Sequence, residues 1–437
     1  MKIDLLVSAR WIVPVEPDRR VLTDHAVAVD GGRILDLLPA QAARLKYHAR
    51  ETRELSRHVL LPGMINAHTH AAMTLFRGLS DDLPLMNWLN EHIWPAEQKW
   101  VSPQFVEDGT RLAVAEMIRG GVTCFNDMYF FPDRAAEVAA EAGIRAVIGL
   151  ILIDFPTAWA SSAEEYLRKG EQVHDRFKHH PLIATAFAPH APYSVPDGPL
   201  QRIGILAEEL DVPVHMHIHE TRAEIDQSLE QHGRRPLQRL QELGLLDPRL
   251  VAVHMTQLDP AEIELAGRNG FSVVHCPESN LKLASGFCPV QTLLDAGVNV
   301  ALGTDGAASN NDLDMLGEMK TAALLGKGVA ADSCAVDAWT ALRMATLNGA
   351  RALGLESITG SLVAGKEADM VAVNMDFLET QPLYDVISHL VYATGRSQVS
   401  DVWAAGRALL REGELVTLDT AAIRERTTEW QDKISSS

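Results

Sequence analysis

Four places in the chain gather residue types that bind metal ions or move protons. They are His68-Thr69-His70, the run Val214-His215-Met216-His217-Ile218-His219-Glu220, Leu250-Val-Ala-Val-His254, and Gly303-Thr304-Asp305-Gly306. In a strand, residues i and i+2 point to the same face, so His68 and His70 would stand side by side at a strand end. Such a pair suits zinc or a similar metal, although an H-x-H string alone is weak and two surface histidines would read the same way. His215, His217 and His219 share one face by the same alternation, so spacing does not say which of them binds a metal. Glu220 falls just past that run, where a carboxylate can reach a substrate or simply be solvated. A lone His254 after an apolar run is ordinarily a packed core residue, and Asp305 could cap the next helix. The four together are harder to dismiss. Three neutral imidazoles and one carboxylate, with an open position for water, form a hydrolytic metal site.

Such a set needs strands that all end on one face. Eight short β-branched or apolar runs occur, at Val59–Ala67, Val122–Asp127, Ile144–Ile153, Leu182–Pro189, Val212–His219, Leu250–His254, Phe271–Cys276 and Val298–Thr304. Stretches with helical spacing separate them, among them Thr110–Arg119, Pro199–Leu210 and Pro260–Arg268. This alternation predicts an α/β fold, a (β/α)8 TIM-type barrel, over residues 59–359. The candidate residues then sit at the carboxyl ends of four strands, where barrel enzymes collect catalytic groups. Residues 1–58 and 360–437 are strand-like with tight turns, and are expected to form one small β-sandwich from both chain ends. Two long insertions, 71–100 and 306–330, are expected at the barrel mouth, where binding residues collect.

Composition narrows the function classes. The chain has 437 residues and a formal net charge of −19, which repels phosphate backbones and anionic membranes, so nucleic acid and membrane are poor partners. Four scattered cysteines, Cys124, Cys276, Cys288 and Cys334, offer neither a disulfide framework nor a cysteine zinc site. The start, MKIDLLVSARW, lacks the apolar core of a signal peptide, and the longest apolar run, Ala146–Ile153, is too short to span a bilayer. A cytoplasmic protein is expected. The fourth run holds no Lys that could be modified to bridge two metals, which favours a single ion.

The chain resembles the amidohydrolase superfamily through Pro62-Gly-Met-Ile-Asn-Ala-His-Thr-His70 and Gly365-Lys-Glu-Ala-Asp-Met-Val371. More narrowly, it is similar to 5-methylthioadenosine/S-adenosylhomocysteine deaminases. The strings that carry this are Leu83-Pro-Leu-Met-Asn-Trp-Leu89, Phe187-Ala-Pro-His-Ala-Pro-Tyr193, Pro277-Glu-Ser-Asn-Leu-Lys-Leu283 and Gly303-Thr-Asp-Gly-Ala-Ala-Ser-Asn-Asn311. The resemblance implies His68, His70, His217 and Asp305 as metal ligands, and it selects His217 because the family motif reads His-x-x-Glu. It implies Glu220, His254 and Asp305 as catalytic, and Trp88, Glu97 and His190, with Glu220 and Asp305, as substrate contacts. One divalent metal per subunit follows, zinc first, although this ligand set also suits iron, manganese or nickel. The implied partner is a small nucleoside, and homo-oligomers are common in the family. The alternatives are deamination of a free purine base, hydrolysis of an aminotriazine, or a metal-free scaffold of the same fold. In some relatives an arginine in the loop after the third strand meets the substrate's 5′ end. Here residues 147–163 hold no Arg or Lys but carry Asp154, Phe155 and Trp159, which predicts a preference for an uncharged 5′-methylthio group.

Overall fold

The structure, a computed structural model, describes residues 1–436. Both chain ends build one eight-stranded mixed sheet. Its strands are β1 (Lys2–Ile12), β2 (Leu22–Asp30), β3 (Arg33–Pro39) and β4 (His48–Pro62) from the start of the chain. Eight strands later come β13 (Met370–Asn374), β14 (Val399–Ala404), β15 (Arg407–Arg411) and β16 (Glu414–Leu415). The order is β16-β15-β14-β13-β4-β1-β2-β3, with β1 and β4 parallel and the other neighbours antiparallel. Leu5, Val7, Val27, Val29 and Leu60 from one end share a core with Met370 and Trp403 from the other.

The remaining strands form an eight-stranded parallel barrel in chain order: β5 (Met64–Thr69), β6 (Val122–Tyr129), β7 (Arg145–Leu152), β8 (Ile183–Pro189), β9 (Val214–Ile218), β10 (Leu250–His254), β11 (Ser272–His275) and β12 (Asn299–Leu302). Their residues are buried on both faces, under helices outside and packed side chains inside, so they read as unbroken apolar runs. The barrel closes where Asp305 N–H donates to the carbonyl of His68 at 3.0 Å. Gly303 permits that approach, since a Cβ there would lie 2.8 Å from the His68 nitrogen.

The expected run Val59–Ala67 divides at Gly63. Val59 to Pro62 complete β4 in the terminal sheet, and β5 begins the barrel at Met64. A Cβ on Gly63 would lie 2.0 Å from Thr123 Oγ1, so only glycine fits the crossing. The stretch 71–100 is not open loop but short helical pieces, including Trp88–Ile93 and Trp94–Trp100, that arch over the mouth. The stretch 306–330 is a short turn followed by the helix Met315–Ala330. A C-terminal helix, Thr420–Ser435, escaped the strand-based expectation for this end. Its Trp430 packs edge-on against Phe105 and donates to Asp108 at 2.9 Å. Among the described residues, no helix is long and apolar enough to cross a membrane.

Candidate active site

The carboxyl ends of β5, β9 and the segment after β12 bring His68, His70, His217 and Asp305 together, with one ligand atom of each within 4.8 Å of the others. Asp305 Oδ1 lies 3.3 Å from His68 Nε2 and 3.2 Å from His70 Nε2, and His217 Nε2 is 3.2 Å from His68 Nε2. The outer nitrogens fix which side faces inward. His70 Nδ1–H donates to Met128 O at 2.6 Å and His217 Nδ1–H to His190 O at 2.7 Å. Each therefore turns an Nε2 lone pair into the cluster, the arrangement that backs a metal-binding imidazole. Facing lone pairs beside a carboxylate repel one another, and a cation among them removes that repulsion. The donor set fits a divalent ion such as zinc.

Where the ends of these strands turn, the backbone enters the left-handed region. His219 has φ 54°, His254 φ 76° and Asp305 φ 62°. Non-glycine residues adopt that conformation at a cost, and such strain clusters at functional sites. It aims His254 and Asp305 into the mouth. It also separates the three histidines of the fifth strand. His217 joins the cluster, His215 lies beneath it with Nε2 2.9 Å from His68 Nδ1, and His219 turns outward to accept the Leu237 N–H at 3.2 Å.

Asp305 is held by more than its neighbours in the cluster. Gly306 N–H donates to its Oδ1 at 2.8 Å, and the hydroxyls of Ser279 and Ser309 donate to its Oδ2 at 2.7 and 2.8 Å. Asn280 donates to His254 Nδ1 at 3.0 Å, which leaves Nε2 facing the mouth, 3.9 Å from Glu220 Oε2. Burial lowers the pKa of His254 to about 3, so its ring is neutral. Glu220 is fixed through its backbone: Glu224 accepts its N–H at 2.8 Å and Thr256 donates to its carbonyl at 2.7 Å. Burial, with the Asp305 and Glu224 carboxylates adding to it, raises Glu220 to about 8, so it carries a proton at neutral pH.

A cleft of about 810 Å³ open to solvent rises from these groups. Trp88, Glu97, His190, Glu220, His254 and Asp305 all line it. Trp88 spends its indole N–H on Ser80 O at 3.0 Å and offers ring surface. Glu97 takes the Tyr129 hydroxyl at 2.7 Å, and burial raises it to about 7 despite that bond. His190, lowered to about 3 by burial, is neutral and bonded to Ser194 Oγ at 2.9 Å. Phe155 lines the cleft beside Trp94, with ring centroids 6.0 Å apart. Asp154 and Trp159 do not line it: Trp159 packs on Phe131 and Lys169, and Asp154 is exposed. Among the described residues, no Lys or Arg lines the cleft.

Sequence reasoning did not single out Ser279, Asn280, Ser309, Glu224 or Tyr129. The first three fall inside two strings quoted for the resemblance, which is the one signal that could have found them.

Comparison with known proteins agrees with this geometry. The model of the amidohydrolase family matches residues 59–409. A 5-methylthioadenosine/S-adenosylhomocysteine deaminase from Saccharophagus degradans is 52% identical over 433 residues, 99% of this chain and 97% of its own. A crystal structure of an adenosine deaminase from Xanthomonas campestris with bound zinc is 55% identical, with a TM-score of 0.99 over 100% of this chain and 99% of its own. An atrazine chlorohydrolase from Arthrobacter aurescens TC1, complexed with zinc, has a TM-score of 0.91 over 98% of this chain and 99% of its own; at 23% identity it shares the fold alone. The chain is a deaminase that belongs to the amidohydrolase family and, within it, to the 5-methylthioadenosine/S-adenosylhomocysteine deaminases.

Proposed function

We propose that the protein hydrolytically deaminates 5′-methylthioadenosine, and also adenosine or S-adenosylhomocysteine, to the inosine analogue and ammonia, using one zinc ion. The observation that carries this reading is a buried carboxyl, Glu220, its pKa raised by burial to about 8, beside a His68/His70/His217/Asp305 cluster at the floor of a cleft whose wall bears Glu97. His68, His70, His217 and Asp305 would hold the ion, which when bound would act as a Lewis acid and make water nucleophilic near neutral pH.

The side chains do the rest. Glu220 gives its proton to the purine ring nitrogen beside C6, which makes that carbon electrophilic. Asp305 takes one proton of the attacking water and passes it to the departing ammonia, and the proton left on the C6 hydroxyl returns to Glu220 as the carbonyl forms. His254, neutral and oriented by Asn280, directs Nε2 at the attacking oxygen and stabilises the charge that develops there. Glu97 accepts the ribose 2′ and 3′ hydroxyls, while Trp88 supplies an apolar wall and His190 a further polar contact.

The cation-free lining, with Phe155 at its edge, favours a methylthio group over a homocysteine carboxylate. A cleft without Lys or Arg also suits a small neutral ligand. An ammonia-release screen over 5′-methylthioadenosine, adenosine, S-adenosylhomocysteine, adenine, guanine and an aminotriazine tests the reading. The nucleosides are expected to react and the free bases not. Turnover of adenine or guanine in preference to the nucleosides would overturn it, because Glu97 would then have no diol to hold.

A further inference from the structure

Asp305 depends on two segments that lie apart in the sequence. Ser279 and Asn280 open the helix Pro277–Lys282, and Thr304 to Asn311 form the turn after β12. We propose that Glu318 is a positioning residue that ties these two loops together and so fixes Asp305 and His254.

Glu318 lies in the first turn of the helix Met315–Ala330 and is fully buried. Its Oε2 accepts the backbone N–H of Glu278 at 3.3 Å, one residue before the Ser279 that donates to Asp305. Its Oε1 accepts Asn310 Nδ2–H, and the same amide donates to Thr304 O at 2.8 Å, one residue before Asp305. Each carboxyl oxygen therefore holds a different loop, one bond away from a residue adjoining the cluster.

The energetics favour a positioning role over a stabilising one. Among the described residues, no cation forms an ion pair with Glu318. Burial, and the nearby Glu278 carboxylate after it, push its pKa well above the usual range, so its charged form is penalised. Its own helix buries Met315, Leu316, Met319, Ala322 and Ala323 around it. With no ion pair to hold it, the carboxyl is kept in place by the two donors it accepts, from Glu278 and Asn310. What an apolar residue lacks is two acceptors aimed at two loops.

This assignment rests on the deaminase reading for its kinetic part only. Glu318→Gln keeps the volume and one acceptor but presents an NH2 to the other donor. In the zinc-loaded full-length protein, kcat for 5′-methylthioadenosine is expected to fall about tenfold or more, since small misplacements of catalytic groups are costly. KM should change less than kcat, because Trp88, Glu97 and His190 line the cleft from other segments. The variant should remain folded at the assay temperature, although one buried donor loses its acceptor. Asn310→Ala should act in the same direction, and combining the two should cost less than the product of their separate effects.

Cobalt-substituted protein gives a readout without substrate: the visible absorption of Co2+ should differ between native protein and Glu318→Gln, because Asp305 shifts. An unchanged cobalt spectrum with native kcat would overturn the proposal. So would a loss of kcat accounted for wholly by the fraction of the variant unfolded at the assay temperature, which would make Glu318 merely structural. If the native protein releases no ammonia, the deaminase reading fails alone, and the cobalt spectrum still decides the fate of Glu318.

Discussion

Replacing Glu220 with Gln removes the cleft carboxyl that stands beside the metal cluster and is poised to donate a proton. The size of the effect can be worked from its setting. With a pKa of about 8, roughly nine in ten Glu220 side chains hold a proton at pH 7, whereas at the ordinary 4.5 only about three in a thousand would. Burial, with the Asp305 and Glu224 carboxylates adding to it, thus favours the active acid at neutral pH. General acid catalysis itself is worth ~10²–10⁴-fold, so Glu220→Gln should lower kcat by that order while leaving zinc content and KM near native. Ammonia release at saturating 5′-methylthioadenosine measures it. The native pH profile provides a second arm with a defined sign. The protonated form is the active one, so kcat should hold below neutrality on this account and fall as pH rises through about 8. Glu220→Gln should lose that limb. A loss of less than a few-fold, or an unchanged alkaline limb in the variant, would refute the role.

Further outcomes follow from the remaining contacts. Glu97→Ala should raise KM for nucleosides about tenfold or more, since hydrogen bonds to a charged acceptor are worth ~1.5–3 kcal/mol each; equal affinity for 5′-methylthioadenosine in titration calorimetry would contradict the ribose contact. Asn280→Ala should reduce kcat, because His254 loses the donor that sets its tautomer and orientation; native kcat would show that the ring is held by packing alone. kcat/KM should favour 5′-methylthioadenosine over S-adenosylhomocysteine, and Phe155→Arg should narrow that ratio by placing a guanidinium at the cleft edge; a native preference for the homocysteine substrate would defeat the argument from the missing cation.

Much of the barrel and its metal cluster was readable before the fold was known, for a physical reason. A parallel strand is buried on both faces and ends at the barrel mouth, so a long apolar run that stops at His or Asp marks both the element and the site. The same logic fails where alternation is degenerate. His215, His217 and His219 are equivalent by period, and what separates them is the end of β9 at Ile218 and the left-handed turn at His219. The boundary at Gly63 was hidden because Val59–Pro62 and Met64–Ala67 are equally apolar on either side of it. Trp159 looked like a cleft residue from its loop, yet its ring found Phe131 and Lys169 instead. Ser279, Ser309, Asn280 and Glu318 stayed silent because their meaning lies in contacts between distant segments, such as Ser279 with Asp305, which no local pattern encodes.

The central claim is that the cluster of His68, His70, His217 and Asp305 holds one ion on which deamination depends. Titrating zinc into chelator-stripped protein while following ammonia release from 5′-methylthioadenosine tests it most directly. The account predicts negligible activity without metal and a rise that breaks at one zinc per chain, abolished in His217→Ala. Full activity in protein shown by elemental analysis to contain no metal would contradict it.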